Sequence, residues 1–412
     1  MASLTDQEYV QACLTHCLYG DRPVPTLTGR LDWARVHELA SQHKLTGILY
    51  RLGTERPDLW PPSLQQSLRK DYAAARLWGE LCSEEVRSAL STLRAGGIPA
   101  VVLKGWALIP SLYGGDPGLR MCGDMDLLVR PQDAARADDL LRGLGYSAAR
   151  EPWPGSDRRY GNARVYRRPR TPWPFADPFA VAIHWYLLDT PYFFDKIDSD
   201  ALVERSEAAL VAGVEARELG PEDHLVYACG HLALHHGYED ALHRYYEMAA
   251  LIRRAGPAFD WEAVALRAAE WRLVVPAQRV LAHLQTLWPG IISASPWEQI
   301  SALRPGISER LVHGWVVREK ENHAARALLA WLTMPRAGAR WRYLLENAFP
   351  GPDYLQQRYG RAPGGLWPLH YLTRIGLAGK YAMEAVRREI LGLAGARRVS
   401  GGADTALVSV EE

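Results

Sequence analysis

The segment Gly123-Asp124-Met125-Asp126-Leu127-Leu128-Val129 puts two carboxylates one residue apart at the head of an apolar run. In a strand, side chains at i and i+2 share a face, so Asp124 and Asp126 would stand side by side, a few ångströms apart. Two negative charges at that spacing repel and call for a cation. Hard oxygen donors suit Mg²⁺ or Mn²⁺. Mg²⁺ usually keeps several waters and takes one or two carboxylates, with substrate phosphates completing its shell. The chemistry such a pair would do is therefore metal-assisted phosphate chemistry. Taken alone, such a pattern is more often a strand whose solvent face carries two aspartates, and its context has to decide.

The elements that must position the pair can be read on either side of it. Ile98-Pro99-Ala100-Val101-Val102-Leu103 is rich in β-branched residues and bounded by Gly96-Gly97, which predicts a buried strand delivering Lys104-Gly105 at its end. A short helix over about Trp106 to Leu112 follows, then a glycine-rich loop, the acidic strand from Asp124 to Val129, and a helix opened by Pro131 and stopped at Gly145. Phe179 to Trp185 reads as a further buried strand, closing a small mixed sheet. Upstream, Asp6 to Leu18, Asp32 to Leu52 and a long stretch N-capped by Ser63 show apolar residues at helical spacing. Beyond Asp198 the pattern is helical almost throughout, with Pro221 starting one helix of a bundle.

Bulk properties restrict the partners. The 412-residue chain carries a net charge of +1, so it lacks the basic field that holds nucleic acid non-specifically. Five cysteines without C-x-x-C spacing fit reduced thiols in a cytoplasm. Cys13 and Cys17 flank His16 but make no complete zinc set. No uncharged apolar run reaches membrane-spanning length, which predicts a soluble protein.

Lys104-Gly105, Leu119-Arg120, Gly123-Asp124-x-Asp126-Leu-Leu-Val129 and Leu144-Gly145-Tyr146, in that order, resemble a bacterial family of uncharacterised nucleotidyltransferases within the polymerase-β-like superfamily. The likeness continues through Ile183-His184-Trp185, His224 to His231 and His235, Asp260-Trp261, Phe349-Pro350 and Arg358-Tyr359. The resemblance implies an α+β fold: a helical region over residues 1–95, a nucleotidyltransferase core over 96–197, a helical domain over 198–400 and a disordered tail over 401–412. It implies Mg²⁺-dependent transfer of a nucleoside monophosphate, AMP by default, from a nucleoside triphosphate to a small molecule, peptide or protein, in keeping with a specialised biosynthetic pathway. Asp124 and Asp126 would hold the metal. Lys104 would meet the triphosphate as a point charge, Gly105 would allow close backbone approach, and Arg120 would clamp a phosphate. Each has a structural alternative: a solvated strand end, a turn glycine and a surface ion pair.

One position departs from the family's pattern. The superfamily usually supplies a third carboxylate two residues before the His-Trp pair, and that position is Ala182. His184 shares its strand face and would serve as ligand or general base. Three alternatives stay open: Asp177 or Asp189 replaces the lost carboxylate, two carboxylates suffice, or the site binds nucleotide as a catalytically weakened regulatory partner. His231 and His235 are spaced for a metal, with His236 facing elsewhere, yet groove or core histidines are the simpler reading. Together with Arg244, Tyr245 and Glu247 they would line an acceptor pocket at the sheet's open end. Arg387-Arg388 and Arg397-Arg398 read as a solvated face and tail, so an RNA-modifying role has little support.

Overall fold

The structure is a computed structural model that describes residues 5–24, 31–149, 160–169, 179–238, 241–320, 322–334 and 337–349, with positions 371, 376, 379, 380, 383 and 387 beyond. Two compact units divide the chain: residues 1–151 with 157–309, and residues 310–412 with 152–156. Asp177, the predicted tail and Arg397-Arg398 lie outside the described residues. No described helix is long and apolar enough to cross a membrane.

The first unit opens with α1 (Asp6–Tyr19), whose Thr5 and Glu8 close a reciprocal capping box. α2 (Trp33–Gln42) and α3 (Thr46–Glu55) follow, then α4 (Pro62–Ala95). The predicted continuous helix from Asp32 is broken at Lys44, which adopts φ 55° between α2 and α3. α4 starts one residue before the predicted Ser63 cap, with Pro at its first turn.

The strands come next: β1 (Val101–Leu103), α5 (Lys104–Leu112), β2 (Asp124–Leu128), α6 (Ala134–Gly143), β3 (Ser147–Ala148), β4 (Ala163–Arg167), β5 (Ala180–His184), α7 (Ser199–Arg205), β6 (Glu207–Val211) and β7 (Val214–Glu218). α8 (Pro221–Leu234), α9 (Leu242–Ala255), α10 (Trp261–Glu270), α11 (Val274–Leu287) and α12 (Ala294–Ala302) complete the unit. In the second unit's sequence, α13 (Ile307–Arg318) runs on past Arg310, and α14 (His323–Thr333) and α15 (Ala337–Ala348) follow.

The strands form one mixed sheet in the order β3-β4-β5-β2-β1-β7-β6. Its centre is β2, antiparallel to β1 and parallel to β5, with Asp126 in register with both Leu103 and Ala182. The α+β class expected from the sequence is therefore present. The chain past Asp198 is less uniformly helical than its pattern suggests, because β6 and β7 form a hairpin that joins the sheet through β7 and β1.

The two faces of the central strands differ in kind. Met125, Leu127, Val181 and Ile183 point into the main core, against Val86, Leu90 and Leu93 of α4 and Ala137 and Leu141 of α6. Truncating one of these large buried side chains to Ala would cost about 2–5 kcal/mol. Buried carboxylates on this side are paired: Arg168 grips both oxygens of Glu85 at 2.8 Å, and Arg164 donates to Asp138 at 2.7 Å. Alternation then forces Asp124, Asp126, Ala182 and His184 onto the opposite face, one beside another.

Candidate active site

Three side chains meet at Asp126. Its Oδ2 accepts from the Lys104 Nζ at 2.9 Å and its Oδ1 lies 2.7 Å from the His184 Nε2. Lys104 reaches it because β1 runs antiparallel to β2 and ends one residue before Lys104, which takes φ 55° and turns directly into α5. A non-glycine residue in that region is a strained position, held by its surroundings. His184 sits level with Leu128, two residues beyond Ala182, and its ring leans back along the strand to Asp126. The methyl group of Ala182 leaves that path open. Asn162 Nδ2 lies 3.4 Å from His184 Nδ1, so the amide donates there and Nε2–H donates to Asp126.

Charge at this corner is arranged unevenly. Burial pushes the Asp126 carboxyl up, but Lys104 and the His184 hydrogen bond outweigh it and hold the group below the usual carboxylate range. Asp124 opens onto a cavity, and its pKa is raised by lost solvation and by the Asp126 charge, against the pull of Lys104. Burial opposes the Lys104 charge, yet the Tyr227 oxygen, Asp126 and Asp124 together raise its pKa. The result is an ionised, doubly bonded aspartate next to one whose charge is poorly compensated.

The cavity is about 300 Å³ and is built within the first unit. Lys104, Gly105, Arg120, Asp124 and Asp126 all line it, whereas His184 does not. Arg120 is nevertheless committed elsewhere. Its Nε donates to Glu247 Oε1 of α9 at 2.5 Å, its Nη1 donates to the Met121 carbonyl at 2.9 Å, and the Tyr113 hydroxyl donates to the same Glu247 oxygen at 3.1 Å. Burial works against the Glu247 charge, and Arg120, His243 and Tyr113 more than compensate. Gly105 is small for a packing reason: a Cβ there would meet the Cys122 sulfur at 2.5 Å. Asp189 is not among the residues lining the cavity.

Helices α8 and α9 supply the remaining wall. His231, His235, Arg244 and Glu247 line it as the sequence suggests, while Tyr245 packs edge-on against His283 instead. Sequence reasoning missed Lys44, His243 and the role of Tyr227, which stands beside Lys104 one turn before His231. The i, i+4 spacing of Tyr227 and His231 was the available signal for the last. His243 carries the same signal, one turn before Glu247 on α9, whereas nothing local marks Lys44.

The family profile described as uncharacterised nucleotidyltransferase matches residues 29–289, a span that holds the whole sheet and both walls of the cavity. The chain belongs to this family. Membership points to transfer of a nucleotidyl group from a nucleoside triphosphate, and a nucleotide is the substrate it implies. It carries no indication of the acceptor. No curated protein matches the chain.

Proposed function

We propose that the protein is a cytoplasmic, Mg²⁺- or Mn²⁺-dependent enzyme that moves a nucleoside monophosphate, AMP first among them, from a nucleoside triphosphate to a small molecule, peptide or protein, releasing pyrophosphate. The observation that carries this reading is the pair of carboxylates on one face of β2 at the cavity edge, with Lys104 tied to the inner one at 2.9 Å. Asp124 and Asp126 would hold the ion: they are oxygen-only donors, and the charge on Asp124, opposed by burial and by Asp126, is what a hard cation relieves. When bound, that ion offsets charge on the triphosphate and on the oxygens of the phosphorus under attack.

The chain's own residues divide the remaining work. Lys104 fixes one oxygen of Asp126 and adds positive charge at the N-terminus of α5, where backbone N–H groups favour phosphate. His184 acts through Asp126 as a positioning residue, because its Nε2 is spent on that carboxylate. Arg120 shapes the cavity through Glu247 and has N–H groups left for a phosphate oxygen. Pyrophosphate release, followed with each nucleoside triphosphate, Mg²⁺ and a cell extract as the acceptor source, tests the reading. Turnover should vanish in Asp124→Ala, and its absence from the wild-type protein across acceptors and nucleotides would sink the proposal.

Ala182 supports a second reading, a nucleotide-binding partner with weakened catalysis, because it stands in register with Asp126 where a third carboxylate would fall. Ala182→Glu separates the two. Gained turnover favours the weakened protein. Lost turnover favours an enzyme built around His184, since the longer side chain fills the ring's path to Asp126.

A further inference from the structure

The carboxylate corner leaves the imidazoles of the helical wall unexplained. His231, His235 and His236 each present a ring nitrogen, and the three atoms lie within 4.8 Å of one another. His236 was expected to face away, and an unbroken helix would place it so. α8 instead ends at Leu234, and Gly237 and Tyr238 take φ 62° and 63° as the chain curls back, with Tyr238 N–H donating to the Leu232 carbonyl at 3.1 Å. At the helix end the His236 N–H reaches back five residues to the His231 carbonyl at 3.3 Å, and the His236 ring lies 4.8 Å from His231 and 4.9 Å from His235, whose own rings stack 4.9 Å apart.

We propose that these three imidazoles bind a borderline divalent transition-metal ion, Zn²⁺ being the best chemical match, at a site separate from Asp124 and Asp126 but in the same cavity. Neutral imidazole suits Zn²⁺, Cu²⁺ or Ni²⁺, whereas the carboxylate pair suits the hard cations. Around a tetrahedral ion with Zn–N of about 2.0–2.1 Å, ligand nitrogens sit about 3.4 Å apart. The ligand nitrogens, within 4.8 Å of one another, must therefore close by up to about 1.4 Å on binding, and His235, the exposed member of the three, has the most room to move. His236 ligates through Nε2, because its Nδ1 faces Arg244 Nη2 at 3.4 Å.

The helix end offers a cation partial negative charge, while Lys104 and Arg244 oppose it. The cluster sits at the C-terminus of α8, the negative end of the helix dipole. Lys104 opposes a cation, but its charge is matched by Asp126 at 2.9 Å. Three protein nitrogens leave a fourth coordination position for water or for a donor atom of the molecule that receives the nucleotidyl group. That last role rests on the nucleotidyl-transfer reading; binding of the ion does not.

Co²⁺ titration of the full-length, tag-free, chelator-treated protein tests the site, since Co²⁺ in a low-coordinate nitrogen site absorbs strongly in the visible. One equivalent of Co²⁺ should give intense bands that Zn²⁺ abolishes. His231→Gln and His235→Gln should each weaken binding at least about tenfold, while Asp124→Asn keeps the bands and their stoichiometry. Because His235 is exposed, His235→Gln retains the fold, which circular dichroism verifies; a folded His235→Gln protein that binds Co²⁺ like wild type overturns the proposal. So do wild-type spectra showing only weak bands of hydrated Co²⁺, and so does a signal lost in Asp124→Asn but kept in the histidine variants. A failed turnover assay leaves this readout untouched, so the two readings fail separately.

Discussion

The two walls of the cavity solve the problem of burying polar groups in opposite ways. The strand wall keeps its charges and ties them together: Asp126 is bonded on both oxygens, and only Asp124 is left facing open space. The helical wall holds His231 and His224 neutral by burial, and pairs the Glu247 carboxylate with Arg120. The first arrangement suits a hard cation and phosphates. The second suits a softer ligand, so on the proposed reading the triphosphate belongs to the strand wall and the acceptor to the helical wall.

The largest test of that contrast is on the strand wall. Asp124→Ala should cut turnover on the order of 10³-fold or more, the scale of losing a central charge-stabilising group, while leaving the melting temperature unchanged or raised, since a poorly compensated charge is removed. Next comes the helical wall's ion pair. Glu247→Gln leaves the Arg120 guanidinium, 13% exposed, without its counter-charge, and should cost about 3–5 kcal/mol of stability in denaturant unfolding. If instead it lowers turnover with stability intact, Glu247 belongs to the chemistry and the contrast between the walls breaks down.

The neutral histidines give a pH signature. His224 falls from 6.5 to about 4 because burial disfavours its cation. Its folded pKa is depressed, so the unfolded chain takes up the proton first as the pH drops. Stability is full above pH 6.5 and is lost as the pH falls toward 4, by roughly 3 kcal/mol over the window. His224→Gln should flatten that acid limb of the stability curve; an unchanged limb would show that His224 is not held neutral. The smallest effect is expected at His184. His184→Ala frees one oxygen of Asp126 and should lower kcat about 10–100-fold, the range for groups that orient a ligand. His184→Gln, able to donate to the same oxygen, should recover part of the loss, whereas a general base would not be rescued.

The strand wall was the more legible of the two in sequence, for a physical reason. Asp124 and Asp126 share a face by the two-residue repeat alone, and Gly96-Gly97, Pro131 and Gly145 mark the ends of the elements beside them. The hairpin of β6 and β7 escaped because its strands are rich in Ala and Glu, and its turn is Ala212-Gly213 rather than Asn-Gly, although both turn residues take positive φ. Lys44 breaks the helix after Gln42 without the glycine that usually signals such a break. His236 was misplaced because periodicity extends a helix past its real end, whereas its N–H here reaches back five residues to the His231 carbonyl. That Ala182 opens a path for His184 needed the register of β2 against β5, which no single strand contains.

The central claim is that the Asp124–Asp126 corner directs transfer of the nucleotidyl group itself. Parallel incubations with α-labelled and γ-labelled ATP, Mg²⁺ and an acceptor-bearing extract test it most directly. Label should reach the product from the α-position only, with γ-label leaving as pyrophosphate, and neither should occur in Asp124→Asn. Product labelled from the γ-position, or α-label transfer that persists in Asp124→Asn, would contradict it.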